Sequence, residues 1–321
     1  MTQKNSRNLS DRSNEPPKFA GIKTFMNLPY TSEVSHLEEY DFAILGLPFD
    51  TAATYRVGAR FAPAAIRDIS GSIRDYNPFL QVAPTETMRG VDFGDASVIP
   101  GNTDRSLKRM QKSTDKIVNH DTIPVCMGGD HLVSLPVLRS LAQKHGPLSL
   151  IHFDSHPDTW PDIYGEKYNH GTPFKRAAEE NLIVPDKSIQ IGLRGTFRKA
   201  GDFEANQDMG FDVITANQLT QLTPDEIGDR LKEKVGDNPV YLTFDIDFLD
   251  PAFAPGTGTP EIGGPSSARA LQILRTLKLH NLKGFDLVEV LPEYDHSGIT
   301  SLAAACIIFE ILSLIAVHQY Q

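Results

Sequence analysis

The stretch LSLIHFDSHPD, residues 148–158, decides how the rest of the chain is read. It opens as a short, mostly apolar run of strand length and closes on an alternation of Asp154, His156 and Asp158. Alternate residues of extended backbone point the same way, so D-x-H-x-D aims two carboxylates and an imidazole at one region. A second stretch, VYLTFDIDFLD at 240–250, follows the same plan and ends on Asp245 and Asp247. In open parallel sheets ligands bind just beyond the carboxyl ends of the strands, which is where both clusters fall.

Six further runs share this character: DFAILGLPF (41–49), MRGVDFG (88–94), TIPVCMG (122–128), SIQIGLR (188–194), FDVIT (211–215) and LKGFDLVEV (282–290). Short runs that are apolar on both faces suit strands of a sheet covered on both sides. Helical periodicity fills the intervals, at 62–73, 104–118, 134–145, 172–181, 223–235, 266–278 and 301–317, with Thr223 or Pro224 as a helix start. The alternation predicts an α/β fold of eight strands with helices on both faces. No repeat, low-complexity insert or linker divides the chain, so one domain over 18–321 is expected, preceded by a polar, disordered tail at 1–17.

With 321 residues, 40% hydrophobic and 22% charged, the chain has the composition of a globular enzyme. Its net charge of −10 argues against nucleic acid as a partner. Two cysteines, Cys126 and Cys306, sit in apolar runs and read as core residues. No uninterrupted stretch of 18 apolar residues occurs and the N-terminus lacks an apolar signal region, so no membrane span and a cytoplasmic location are expected.

GGDH at 128–131 adds His131 at a third strand end, giving four carboxylates and two imidazoles. Buried carboxylates without partners are costly, and four of them match the charge of two divalent cations. Oxygen-rich ligation with two imidazoles suits Mn²⁺, with Ni²⁺, Co²⁺ or Zn²⁺ as alternatives.

The segments GGDH (128–131), DSHPD (154–158), HGTPF (170–174), FDIDFLDPAFAPGTGTPEIGG (244–264) and DLVEVLPEYD (286–295) closely resemble the ureohydrolases, the family of agmatinase, arginase and guanidinobutyrase. The likeness runs from about residue 40 to 312. It implies a three-layer α/β/α domain with an eight-stranded parallel sheet, two manganese ions, and hydrolysis of a guanidino group to urea and an amine. Carried over by position, His131, Asp154, Asp158 and Asp245 hold one metal; Asp154, His156, Asp245 and Asp247 hold the other, with Asp154 and Asp245 bridging. Glu289 holds the guanidinium and His170 carries the proton to the leaving amine. The family usually has Ala where this chain has Ser155, a change expected to leave ligation undisturbed. A trimer or hexamer of identical chains is implied by the resemblance alone.

For the substrate, Trp160 and Tyr168 stand where arginase-like members carry polar groups that recognise an amino-acid head, which disfavours arginine. Trp160 and Tyr168 offer aromatic faces to a cationic tail, and Asp162 or Glu166 offers it negative charge. Agmatine, yielding putrescine and urea, is the expected substrate, with 4-guanidinobutyrate and free guanidine as alternatives. A catalytically silent binding or regulatory subunit is the contrasting class. Such a chain is expected to lose ligands, and this one keeps all six.

Overall fold

The computed structural model describes residues 17–320 other than 198 and 200, so the expected tail at 1–17 lies, but for Pro17, outside the described residues. One eight-stranded sheet runs in the order β2-β1-β3-β8-β7-β4-β5-β6, with every neighbouring pair parallel. The strands are β1 (Phe42–Gly46), β2 (Gly90–Asp95), β3 (Ile123–Met127), β4 (Ser149–Phe153), β5 (Ile189–Leu193), β6 (Asp212–Thr215), β7 (Val240–Asp245) and β8 (Leu282–Val288). Each occupies one of the eight expected runs, because side chains of alternating direction find an apolar layer on either side.

Phe42 and Ile44 of β1 enter the core beneath α1 (Ala62–Ser70), α8 (Pro224–Val235), α9 (Ser267–Leu274) and α10 (Ile299–Gln319). Ala43 and Leu45 enter the opposite core, beneath α3 (Thr103–Val118), α4 (Ser134–His145) and α5 (Pro173–Glu179). The result is a three-layer α/β/α arrangement. Shorter helices α2 (Pro84–Thr87), α6 (Glu204–Asp208) and α7 (Ala216–Leu219) lie in connections where the sequence shows no helical period. Of the two candidate starts for α8, Thr223 is the cap. Its side chain accepts from Glu226 N–H while the Glu226 carboxylate accepts from Thr223 N–H, and Pro224 opens the first turn.

Helix α10 departs from the sequence expectation. Without being an unbroken apolar run, it carries an 18-residue window of mean hydropathy 2.3, long and apolar enough to cross a membrane. That window is 72% buried inside the fold, and its Glu310 pairs with Arg275 at 2.7 Å. A helix apolar on every face is what a core position between sheet and neighbouring helices requires. Cys126 is buried, whereas Cys306 is only half-buried; burial pushes both thiols up, away from the reactive thiolate.

Candidate metal centre

Four adjacent central strands, β3-β8-β7-β4, deliver the site. His131 follows β3 on a short 3-10 turn, Asp154 follows β4, Asp245 ends β7, Asp247 lies one turn on, and Glu289 follows β8. β3 and β4 follow one another in the chain but are not neighbours in the sheet. β7 and β8 return late in the chain to lie between β3 and β4, and that crossover gathers distant motifs.

The six expected ligands converge. His131 Nδ1 lies 3.0 Å from Asp154 Oδ2, 3.0 Å from Asp158 Oδ2 and 3.2 Å from Asp245 Oδ2. His156 Nδ1 lies 3.4 Å from Asp154 Oδ1 and 3.0 Å from Asp247 Oδ2. The two oxygens of Asp154 thus face different histidines, as a bridging carboxylate requires. Asp158 reaches the cluster only by adopting a left-handed backbone, φ 51°, a strained conformation that accumulates at functional sites.

The donor set fits cations. His131 Nε2 sits 2.9 Å from Thr243 Oγ1, and Nδ1 meets the geometry of a hydrogen bond to none of the three carboxylates around it. Asp247 Oδ2 is likewise buried without a hydrogen bond. Carboxylate oxygens crowded around one imidazole nitrogen are held together by a cation, whether a proton on that nitrogen or a metal ion between them. Burial, then Asp247 and Asp154, push the Asp245 carboxyl well above the usual range, and burial with Asp154 raises Asp158. Two groups of donors close enough to hold an ion are present among the described residues: His131 with His152 and Asp154, and Asp154 with His156 and Asp247.

His152 was not singled out by the sequence. It belongs to a polar row crossing the sheet one register below the ligands, where Gln190, His152, Thr243 and Asp286 pair strand to strand. Gln190 Nε2 donates to Pro157 O at 2.7 Å and to His152 Nδ1 at 3.1 Å, which leaves His152 Nε2–H to donate to Asp154 Oδ2 at 2.7 Å. An outer donor of this kind orients the carboxylate it binds and holds it in its charged form. Gln190→Ala is therefore expected to weaken metal affinity about 10–100-fold while leaving the sheet folded, as read by calorimetric titration of Mn²⁺ into metal-free protein. Ser155 also does more than expected. Its hydroxyl donates to Asp247 Oδ1 at 2.7 Å and its N–H to the same oxygen at 3.1 Å, so it pins the Asp247 carboxylate.

Beside the cluster, Glu289 is 2% exposed and also left-handed, φ 62°. Its Oε1 accepts from His131 N–H at 2.9 Å and faces His170 Nδ1 at 3.0 Å. Burial opposes charge on His170. The Glu289 carboxylate, helped by Asp158 and Asp130, outweighs it and raises the imidazole pKa above its usual value. Glu289 Oε2 faces the PGTGTP loop, and a Cβ on Gly258 would come within 3.2 Å of it.

The four expected tail contacts fare unequally. Trp160 packs against Gly171, next to His170, so closely that a Cβ on Gly171 would fall 2.7 Å from the indole. Asp162 is exposed and accepts from Gly165 N–H at 3.0 Å; Glu166 is exposed and joins Ile163 through its backbone. Tyr168 is turned to a different task. Its hydroxyl meets Arg139 at 3.4 Å and its ring carries Lys167 at 5.1 Å, against the α4–α5 surface. Among the described residues no hydrogen bond or ion pair joins Asp162, Glu166 or Tyr168 to Glu289, His170 or the ligands. Spacing placed them on the loop but could not say which way they face.

Comparison with known proteins agrees with this geometry. A family model described as the arginase family matches residues 40–313. The guanidinobutyrase of Pseudomonas aeruginosa is 41% identical over 302 residues, 94% of this chain and 95% of that protein. An agmatinase of Klebsiella pneumoniae is 42% identical over 304 residues, 94% of each chain. The solved structure of proclavaminate amidinohydrolase from Streptomyces clavuligerus superimposes with a TM-score of 0.88 at 39% identity, covering 95% of this chain and all of that one. Fold, converging donors and kinship over nearly the whole length give one conclusion: the chain belongs to the arginase family, as one of its guanidino hydrolases.

Proposed function

We propose that this chain releases urea from a small guanidino compound. In this reading His131, Asp154, Asp158 and Asp245 hold one divalent ion and Asp154, His156, Asp245 and Asp247 a second, manganese first, nickel or cobalt as alternatives. The observation that carries it is the unbonded His131 Nδ1, facing three carboxylate oxygens at 3.0 to 3.2 Å. Divalent ions held by these residues would lower the pKa of bound water and so make hydroxide available at neutral pH.

The protein's own residues do the rest. Glu289 holds the guanidinium, its Oε2 facing the space left by Gly258 and its Oε1 kept in place by His131 N–H. His170, against that same Oε1, carries a proton to the amine as the C–N bond breaks. The silent-subunit reading loses ground to a donor set that both survives and converges.

Agmatine is our proposed substrate, with Trp160 beside His170 as the aromatic face along its tail. A second reading, a guanidino acid with a carboxylate tail, is favoured by one observation. Arg194 is spent on the carbonyls of Asp247, Leu249 and Glu261, but Arg56 stands on the Tyr55 and Tyr294 rings at 5.6 and 4.8 Å, beside Thr257 O, with no carboxylate partner among the described residues. Urea release from agmatine, 4-guanidinobutyrate, 3-guanidinopropionate, arginine and guanidine, after Mn²⁺ or Ni²⁺ loading, separates the readings. The expected result is the highest kcat/KM for agmatine and none measurable for arginine. A clear preference for 4-guanidinobutyrate or 3-guanidinopropionate transfers the tail to Arg56, and no urea from any of the five defeats the proposal.

A further inference from the structure

Thr54 lies in the loop between β1 and α1. Its hydroxyl is 2.7 Å from His170 Nε2, and its backbone N–H donates to the same nitrogen at 3.3 Å. The loop is doubly anchored. Ala52 N–H donates to the buried Asp130 Oδ2 at 2.9 Å, and His170 N–H donates to Ala52 O at 3.2 Å. His170 is therefore gripped at both ring nitrogens, by Glu289 on one side and Thr54 on the other, in a position only 9% exposed.

The two grips differ in what they allow. A carboxylate only accepts, so the neutral ring carries its hydrogen on Nδ1, and the Nε2 lone pair accepts from Thr54. A charged ring has a hydrogen on Nε2 as well, which needs an acceptor there. The backbone N–H of Thr54 cannot accept, but the hydroxyl can turn and do so. We propose that Thr54 Oγ1 is the positioning hydroxyl that lets His170 change charge without leaving Glu289. This rests on the reading of His170 as the proton carrier.

The step balances. The bond between the guanidino carbon and the leaving nitrogen breaks, its electron pair going to nitrogen, and that nitrogen gains the proton from His170 Nε2. The ring keeps its Nδ1–H on Glu289 Oε1, and the freed Nε2 lone pair again accepts from the Thr54 hydroxyl. Nε2 regains a proton from the next water, so a guanidinium and one water give urea and an ammonium with no net proton change. Without the hydroxyl, the Nε2–H of the charged ring meets only another donor, the Thr54 N–H, and the ring is driven from its place.

Thr54→Val keeps the shape and removes the hydroxyl; Thr54→Ser keeps the hydroxyl and removes the methyl. Thr54→Val is expected to lower kcat about 10- to 100-fold, as for loss of a hydrogen bond to a charged group. KM should stay within about 2-fold, metal content should not change, and the solvent deuterium isotope effect on kcat should rise as proton transfer becomes limiting. Thr54→Ser is expected to restore kcat to within about 3-fold of wild type. Thr54→Ala repeats the test with a smaller side chain should valine disturb the loop, and the same drop is expected. Wild-type kcat in Thr54→Val or Thr54→Ala, or a serine variant as slow as the valine one, overturns the inference. Failure of the wild-type chain to release urea instead defeats the underlying reading, so the two outcomes are told apart by the parent enzyme.

Discussion

Asp245→Ala is expected to abolish manganese-dependent urea release, by at least about 10³-fold, since it removes the hydroxide source. The variant should nonetheless be no less stable than the parent when both are metal-free. The reason lies in the charge of the empty cluster. Asp245 is 2% exposed, and burial with Asp247 and Asp154 pushes its carboxyl well above the usual range, so in the folded chain its negative charge is unfavourable. Removing that charge relieves the cluster, offsetting the lost hydrogen bond that Asp245 Oδ1 accepts from Asp247 N–H at 2.8 Å. Manganese should then raise the melting temperature of the parent strongly and of Asp245→Ala little, because only a ligand that binds the native state stabilises it. Thermal melts of both proteins, with and without Mn²⁺, check this. A parent that melts at the same temperature with and without the ion contradicts it.

His170→Asn should separate chemistry from metal binding. A loss of about 10²- to 10⁴-fold in kcat is expected for removal of a general acid–base group, with both ions retained. His170 belongs to Glu289 and Thr54, with hydrogen-bond distances of 3.0 and 2.7 Å, and to none of the six ligands. Asparagine keeps a polar group near Glu289 but cannot carry a proton at neutral pH. Steady-state rates alongside metal analysis decide the matter. A variant that turns over at the parental rate moves the proton to another group, and one that loses its metal makes His170 part of the cluster.

The strands were legible because a parallel sheet covered on both faces leaves short apolar runs, and each of the eight runs became one strand. The convergence of the six candidate ligands was legible because D-x-H-x-D and D-x-D carry the two-residue period of extended chain into the site. What supports the ligands was not. Gln190, His152 and Thr243 are single polar residues inside apolar strands, and each alone reads as a tolerated exception. Only strand order places them side by side beneath Asp154 and His131. The polar members of IHF, IQI and LTF were the signal available. Thr54 escaped for a different reason, since its partner His170 is 116 residues away and no local pattern links them. Tyr168 shows the converse. Its position on the loop was read correctly, but side-chain direction in irregular backbone has no period to follow, and Arg139 had claimed its hydroxyl.

The pair of cations is the central claim, and counting metal per chain tests it most directly. Purified protein, loaded with Mn²⁺ and freed of excess, should hold two ions per chain by plasma mass spectrometry. Asp247→Ala should hold closer to one, because Asp247 faces His156 at 3.0 Å and, in the proposed site, touches the second ion alone. One ion or none in the parent chain, with full urea-releasing activity, would contradict the binuclear site.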